Sequence, residues 1–192
     1  PYLSRGLGDV YKRQAMAGLS GLDGLLAVAG DDNAIWRAAA MEALIAHIAE
    51  PAAVQALLVG ATDEEPLVRQ AAITTLSARL AAGEPTVMAA VRVAQRDTSR
   101  SVRLAAARAL RQPSADLLAY LDHNADQPSA LLERASYLMD TAPDQAAPML
   151  RQVIAWDGSD PQARMALAVV ASRLGDPVSY THLTLPTKWW GG

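Results

Sequence analysis

Residues 97–110, DTSRSVRLAAARAL, carry the pattern that decides the fold of this chain. Two earlier stretches repeat it: residues 63–76 read DEEPLVRQAAITTL, and residues 31–44 read DDNAIWRAAAMEAL. Each copy begins with an Asp, and an apolar residue and an Arg follow five and six residues later. An Ala stands three residues after the Arg, and each copy ends with a small residue and a Leu. The Asp, the Arg and the Leu all recur after 32 and then 34 residues. Such a constant period indicates repeats of one supersecondary unit.

Each copy is predicted to form an amphipathic helix. In the copy that ends at Leu110, the apolar positions from 102 onward follow the i, i+3, i+4 spacing of one helix face. The chain contains 40 Ala and no Phe. Small side chains at crowded positions such as Ala72 and Ala106 let neighbouring helices approach closely. The Asp before each helix is expected to cap its free N–H groups.

A second set of helices is predicted between these copies. The apolar stretches 22–29, 52–59 and 86–94 supply the first helix of each pair. The result is an all-α fold, an α-solenoid of stacked antiparallel helix pairs. Gly and Pro residues are interpreted as marking the connections between helices: Gly60, Gly83, Pro51, Pro66 and Pro85.

Over residues 20–112 this pattern resembles HEAT repeats of the short bacterial kind, and we assign residues 15–112 to HEAT-like repeats. The resemblance implies an extended surface that binds other proteins rather than a catalytic pocket. Each Arg of the repeat is expected to bridge to an Asp of its own or the adjacent turn. The alternative interpretation of these Arg residues is an anion-binding track. The predicted structural ladder consists of Asp31, Arg37, Asp63, Arg69, Asp97 and Arg103.

After residue 112 a different repeat begins. Residues 127–130, QPSA, recur 33 residues later as residues 160–163, DPQA. With a tight turn at Gly175, this pattern resembles tetratricopeptide (TPR) repeats over residues 113–176. It departs from that family at Gly158, where the family usually has Pro.

The TPR resemblance implies a binding face on the inner side of these helices. Met and aliphatic side chains there suit an extended peptide or a helix of a partner protein. The alternative is that they pack against the next helix of the array. The implied inner-facing residues are Leu132, Ser136, Met139, Met165, Val169 and Ser172.

The sequence contains no arrangement that is typical of an enzyme or a metal site. It has no Cys, so thiolate ligands and Cys nucleophiles are excluded within this chain. It also has no G-x-S-x-G nucleophile motif. His47, His123 and His182 are scattered, and none belongs to a metal-binding pair. Acidic pairs in the turns are interpreted as helix caps, so we predict no catalytic residue, no metal and no cofactor.

The charge balance argues against nucleic acid as a partner. The formal net charge is −3, whereas nucleic-acid sites need a large excess of basic residues, often with aromatic ones for stacking. No apolar run approaches the roughly 18–20 residues that cross a membrane. One local basic cluster is expected to contact carboxylates of a protein partner: Arg92, Arg96, Arg100, Arg108 and Arg111.

The two ends differ in composition from the rest of the chain. All 40 Ala lie between residues 15 and 171, and both Lys residues, Lys12 and Lys188, lie outside that span. Residues 1–14 and 177–192 resemble translated sequencing-adapter read-through, and the alternative is a native arm at each end. We therefore expect an internal fragment of a longer bacterial protein, of metagenomic origin, whose localisation and oligomeric state the sequence leaves open.

These features predict a non-catalytic scaffold or protein-interaction module. The order of the repeats, joined by the segment L-x-Y-L-x-x-N-A-D-x-P at residues 118–128, resembles the repeat region of bacterial multihaem cytochrome-associated proteins. That resemblance implies an upstream haem domain and a periplasmic location, and without it a cytoplasmic location is expected. The alternative function is that of a HEAT-like phycobilin lyase, which handles chromophores, although the TPR-like extension argues against it.

Overall fold

The structure, a computed structural model, describes residues 21–175, and every regular element in that range is helical. These residues form ten α-helices and two short 3₁₀ helices, which confirms the predicted all-α class. None of the helices in this range has the length and apolar character that a membrane span requires. The chain divides into two units, with the boundary between Gln112 and Pro113. The predicted tails, residues 1–14 and 177–192, lie outside the described residues.

Three helix pairs form the first unit. In each pair a first helix is followed by a short turn with the Asp of the repeat, and then by a second helix with its Arg. The 3₁₀ helices Leu44–His47 and Ser77–Ala82 extend the second helices of the first two pairs. The pairs are α1 (Leu22–Val28) with α2 (Ala34–Ala43), α3 (Pro51–Gly60) with α4 (Pro66–Leu76), and α5 (Pro85–Ala94) with α6 (Arg100–Ala109).

Proline and glycine set several helix ends in this unit. Pro51, Pro66 and Pro85 each stand at the start of a helix, where the missing N–H removes no intrahelical hydrogen bond. Gly83 follows the second 3₁₀ helix with a φ of 70°, in the left-handed region that favours Gly. Gly60 differs from the expectation that it marks a connection, because it is the last residue of α3 and is buried.

The second helices of the three pairs pack in a row. The most extensive helix contacts of the unit are those of α2 with α4 and of α4 with α6. Ala40, Ala72 and Ala106 lie three residues after the Arg of each repeat, and all three are 0% exposed. A side chain of one methyl group at this position allows the helices to pack closely. Larger side chains fill the core on either side, namely Met41, Leu44, Leu57, Val68 and Leu76 in one cluster and Ile73, Val91 and Val102 in the next.

Gly60 lies at a crowded point where α3 meets α2 of the preceding pair and α4 of its own pair. A Cβ atom added at Gly60 would lie 2.5 Å from the Sδ atom of Met41 in α2 and 3.2 Å from the Cβ atom of Ala72 in α4. Both neighbours are themselves buried in a close-packed core, so they have little room to move. Gly fits at this position because its hydrogen atom needs less space than a Cβ atom.

The second unit is built around its longest helices. One of these, α9, packs extensively against both α8 and α10, and α7 contacts α8. The core between them contains Ala135, Ala146, Leu150 and Val170. The helices are α7 (Ala115–His123), α8 (Pro128–Leu138), α9 (Pro143–Trp156) and α10 (Pro161–Leu174).

Replacing Ala106 with Leu is expected to lower the free energy of unfolding by about 1–3 kcal/mol, because the larger side chain overpacks the contact between α4 and α6. Ala89 is an exposed position of α5, and the same change there is expected to alter the free energy by less than about 0.5 kcal/mol. Urea unfolding followed by circular dichroism measures both variants. Equal effects at the two positions would contradict a close helix approach at Ala106.

Replacing Gly60 with Ala is expected to destabilise the chain by about 1–3 kcal/mol, although Ala has the higher helix propensity. The matched control is Gly30→Ala, since a Cβ atom at Gly30 would meet only the carbonyl oxygen of Ala27, at 3.7 Å. Thermal unfolding compares the two variants. A more stable Gly60→Ala variant would mean that Met41 moves aside at little cost.

Candidate functional site

Four of the six predicted ladder residues form bridges between successive repeats of the first unit, Arg37 with Asp63 and Arg69 with Asp97. Arg37 makes a two-pronged contact with the carboxylate of Asp63, from Nε to Oδ2 at 2.9 Å and from Nη2 to Oδ1 at 2.8 Å. Its Nη1 atom donates to the carbonyl oxygens of Asp31 and Asp32 at 3.0 and 3.1 Å. One guanidinium therefore ties its own turn to the next one and uses four of its five N–H groups in doing so.

The same geometry recurs one repeat later. Arg69 contacts the carboxylate of Asp97 from Nε at 2.8 Å and from Nη2 at 2.9 Å. Its Nη1 atom donates to the carbonyl oxygens of Asp63 and Glu64 at 2.7 and 2.9 Å. Arg103 likewise donates to the carbonyl oxygen of Asp97 in its own turn, at 2.8 Å. Arg37 and Arg69 thus each donate two hydrogen bonds to the Asp carboxylate of the next repeat. Their other hydrogen bonds go to carbonyl oxygens in the turn of their own repeat.

The Asp residues of the ladder do not cap their helices directly, which corrects the expectation from the sequence. The residues at the N-cap positions are Asn33, Glu65 and Ser99. Each ladder Asp stands two residues earlier, and its Oδ1 atom accepts the backbone N–H of the N-cap residue at 2.7–2.8 Å. The carboxylate therefore shapes the turn that precedes the helix rather than the first helical turn.

The hydrogen bonds of the two bridges stabilise the charged forms of the Asp and Arg side chains. The side-chain hydrogen bond from Arg37 lowers the pKa of Asp63 below its ordinary value, and the bond from Arg69 does the same for the pKa of Asp97. The same bonds raise the pKa of both Arg residues. These four side chains are 12–15% exposed, so water screens the pairs only in part. This arrangement favours a structural role for Arg37 and Arg69 over an anion-binding track.

An open apolar groove lies on the surface of the second unit. It has a volume of about 380 Å³ and is lined by Met139, Pro161, Gln162, Met165, Ala166 and Val169. The structure thus brings together Met139, Met165 and Val169, three of the six residues that the TPR resemblance implied. Met165 is 70% exposed and Val169 is 40% exposed, so the groove presents neighbouring apolar side chains to solvent.

Two features hold the walls of this groove in place. Asp160 caps α10, its Oδ1 atom accepting the N–H groups of Gln162 and Ala163 at 2.8 and 3.0 Å. Near the other end of α10, Arg173 donates to the carbonyl oxygen of Met139 at 2.6 Å and forms an ion pair with Asp140. The helix that carries the exposed apolar residues is therefore fixed to the end of α8.

The other three implied residues lie outside the groove lining. Leu132 packs against the core of the second unit, and the hydroxyl of Ser136 donates to the carbonyl oxygen of Glu133 at 2.7 Å. Ser172 is exposed near the end of α10. Pro161, Gln162 and Ala166 also line the groove and were not among the predicted residues. The i, i+3, i+4, i+7 spacing with Met165 and Val169 indicates Gln162 and Ala166.

A second open groove lies in the first unit and contains two of the predicted basic residues. Its volume is about 810 Å³, and it lies between the α3–α4 turn and the α5–α6 turn. Arg92 and Arg96 line it, whereas Arg108 lines a separate polar recess with Gln70 and Thr74. The full lining consists of Thr62, Asp63, Arg69, Arg92, Val93, Gln95, Arg96, Asp97 and Thr98.

Across residues 21–175 no three or more His, Asp or Glu side chains are grouped so that they could hold a metal ion. The Nδ1 atom of His47 lies 2.7 Å from Oε1 of Glu50, at the end of a 3₁₀ helix. His123 is exposed at the end of α7, and His182 lies outside the described residues.

Comparison with known proteins bears on the first unit. Residues 22–111 match the family model of HEAT repeats. The matched range contains all six helices of the first unit, which we therefore call the HEAT unit. HEAT repeats are typically non-catalytic and suggest a scaffold for protein partners. No curated protein and no solved structure matches the chain.

The HEAT unit is expected to lose stability in acid through its bridges. Because the pKa of Asp97 is lower in the folded than in the unfolded chain, the bridge contributes fully above the unfolded pKa, which is about 4, and its contribution is lost as the pH falls through the folded value. Replacing Asp97 with Asn should therefore lower the free energy of unfolding by about 1–3 kcal/mol at neutral pH. The difference from the unchanged chain should shrink below about pH 4.

The control for this experiment is Asp32→Asn, because the side chain of Asp32 is exposed and only its carbonyl oxygen takes part in the ladder. Its effect on the free energy of unfolding should stay within about 0.5 kcal/mol. Urea unfolding at a series of pH values measures all three proteins. A constant difference between Asp97→Asn and the unchanged chain from neutral pH to acid would contradict the proposed ionic contribution.

Proposed function

We propose that this chain is a protein-interaction module whose second unit binds an apolar helix of a partner protein. The HEAT-like repeats support the general class, since such repeats suggest a scaffold for protein partners. The observation that carries the specific proposal is the apolar groove in which Met165 and Val169 are exposed beside Met139. Leaving these side chains in water is unfavourable, and a partner that covers them removes that cost.

The spacing of the groove residues favours a helix as the occupant. Gln162, Met165, Ala166 and Val169 stand at positions i, i+3, i+4 and i+7 of α10, so they form one stripe about 10 Å long. A stripe of this kind packs against a second stripe on a partner helix, in the way that amphipathic helices enter apolar grooves. The thioether of Met adapts its shape to different partner side chains.

We further infer that residues 113–175 form TPR-like repeats, with the groove on their inner face. Support comes from the helix starts at Pro128 and Pro161, which stand at the same position of the two sequence copies. Further support comes from Gly175, whose φ of 66° allows the turn that ends α10. The link to multihaem cytochrome-associated proteins, and with it the periplasmic location, stays a prediction that rests on the order of the repeats.

The alternative is a chromophore-handling protein similar to phycobilin lyases. Only the HEAT-like repeats support it. The exposed apolar stripe of α10 lies outside those repeats and is what a protein-binding function needs. We therefore favour the interaction module.

Selection of helical peptides from a displayed library, with the whole chain as bait, tests the proposed function. The selected peptides are expected to carry apolar residues at i, i+3, i+4 and i+7. Replacing Met165 with Gln should weaken their binding by about tenfold or more, because one large apolar contact is lost. NMR spectra should shift at the methyl groups of Met139 and Met165 when peptide is added.

The matched control is Ile45→Gln, which removes a large exposed apolar side chain from the HEAT unit. It should leave peptide affinity within about twofold. Peptides that bind the Met165→Gln variant as tightly as the unchanged chain, or that shift only resonances of the HEAT unit, would contradict the proposal. Failure to select any peptide with an apolar stripe would contradict it as well.

A further inference from the structure

The open groove of the HEAT unit has a charge distribution that the repeat structure does not use. Asp63 and Asp97 line it, but Arg37 and Arg69 hold both carboxylates in the bridges described above. These two negative charges are therefore neutralised within the fold. The charge that a partner meets in this groove is therefore that of the other charged residues in its lining.

Those residues are two exposed arginines. Arg92 lies in the last turn of α5, and Arg96 lies in the turn that follows. Within residues 21–175, neither guanidinium makes a hydrogen bond or an ion pair. Like charges four residues apart on a helical segment repel each other slightly. The pair is thus an unneutralised, solvent-facing positive site beside two internally neutralised carboxylates.

An apolar side chain lines the groove together with the two arginines. Val93 lines the same groove and is 73% exposed. Val59, which is 63% exposed, occupies the equivalent position 34 residues earlier, near the end of α3. The edge of the HEAT unit that carries the turns therefore combines positive charge with exposed aliphatic groups.

We propose that this groove binds an acidic segment of a partner protein, with carboxylates on Arg92 and Arg96 and an aliphatic side chain on Val93. Guanidinium groups bind carboxylates with two parallel hydrogen bonds, and both arginines have their donors available. The proposal concerns a different surface from the groove of the second unit, so either can fail without the other.

A peptide fits this groove better than nucleic acid does. The side chain of Glu64 is 86% exposed in the α3–α4 turn, and Glu65 beside it is exposed as well. A nucleic acid carries a charge on every nucleotide and gains its affinity from many phosphate contacts, so it would meet these glutamates as well as the arginines. An acidic peptide can place carboxylates only where the arginines are. The lining also lacks an aromatic side chain on which a base could stack.

Fluorescence anisotropy with a labelled peptide of about twelve residues tests the proposal, the probe being built from Glu, Asp and Leu. The matching neutral probe has Gln and Asn in place of the acids. At about 50 mM salt the acidic probe should bind and the neutral probe should not, and about 300 mM salt should weaken binding severalfold. The double variant Arg92→Gln, Arg96→Gln should lower affinity about tenfold. Val93→Glu, which adds a carboxylate to the groove, should lower it similarly.

The matched control is Arg151→Gln, because Arg151 is an exposed arginine of α9 that makes no contact within the described part of the chain. It should leave affinity within about twofold. Thermal unfolding of each variant verifies that it folds. The proposal is overturned if the acidic probe does not bind, if the neutral probe binds equally well, or if the groove variants bind like Arg151→Gln. Tighter binding of a single-stranded oligonucleotide than of the acidic peptide also overturns it.

Discussion

The two-pronged bond from the Arg of one repeat to the Asp of the next is the contact on which the HEAT unit depends. Apolar packing holds neighbouring helices together, but it is non-directional and tolerates sliding. The guanidinium of Arg37 accepts only one geometry, because it must meet the carboxylate of Asp63 and two carbonyl oxygens of its own turn at once. The bond thus fixes how one helix pair is placed on the next. In a repeat protein, where each pair contacts only its neighbours, that placement is set pair by pair.

Small residues stand where the second helices contact each other, and larger apolar residues fill the core on either side. Ala40, Ala72 and Ala106 stand at the centre of the helix row, where their small side chains let the second helices pack closely. Other aliphatic residues are exposed on the surface, and some of them line the two grooves. The grooves differ in chemistry: Met165 and Val169 give one an apolar lining, whereas Arg92 and Arg96 give the other a positive charge.

The sequence alone predicted what depends on periodicity, and it missed what depends on contacts between distant residues. The recurring Asp, Arg and Ala indicated the helix pairs of the HEAT unit. The role of Gly60 could not be read in this way, because its close neighbour Met41 is 19 residues away and belongs to another pair. Likewise, a family resemblance placed Leu132 on the same face as Met165, whereas packing turns Leu132 toward the core. Which side of a helix faces solvent is decided by its neighbours.

The bridge also has a direction along the chain. The middle repeat carries both halves of the bond: its Asp63 accepts Arg37 of the repeat before it, and its Arg69 reaches Asp97 of the repeat after it. A DNA duplication of one repeat would insert a unit that fits its neighbours on both sides without any compensating mutation. Loss of one whole repeat would likewise rejoin a matching Arg and Asp. An array built on this bond can change its length in evolution by whole repeats, while the joints between them stay the same.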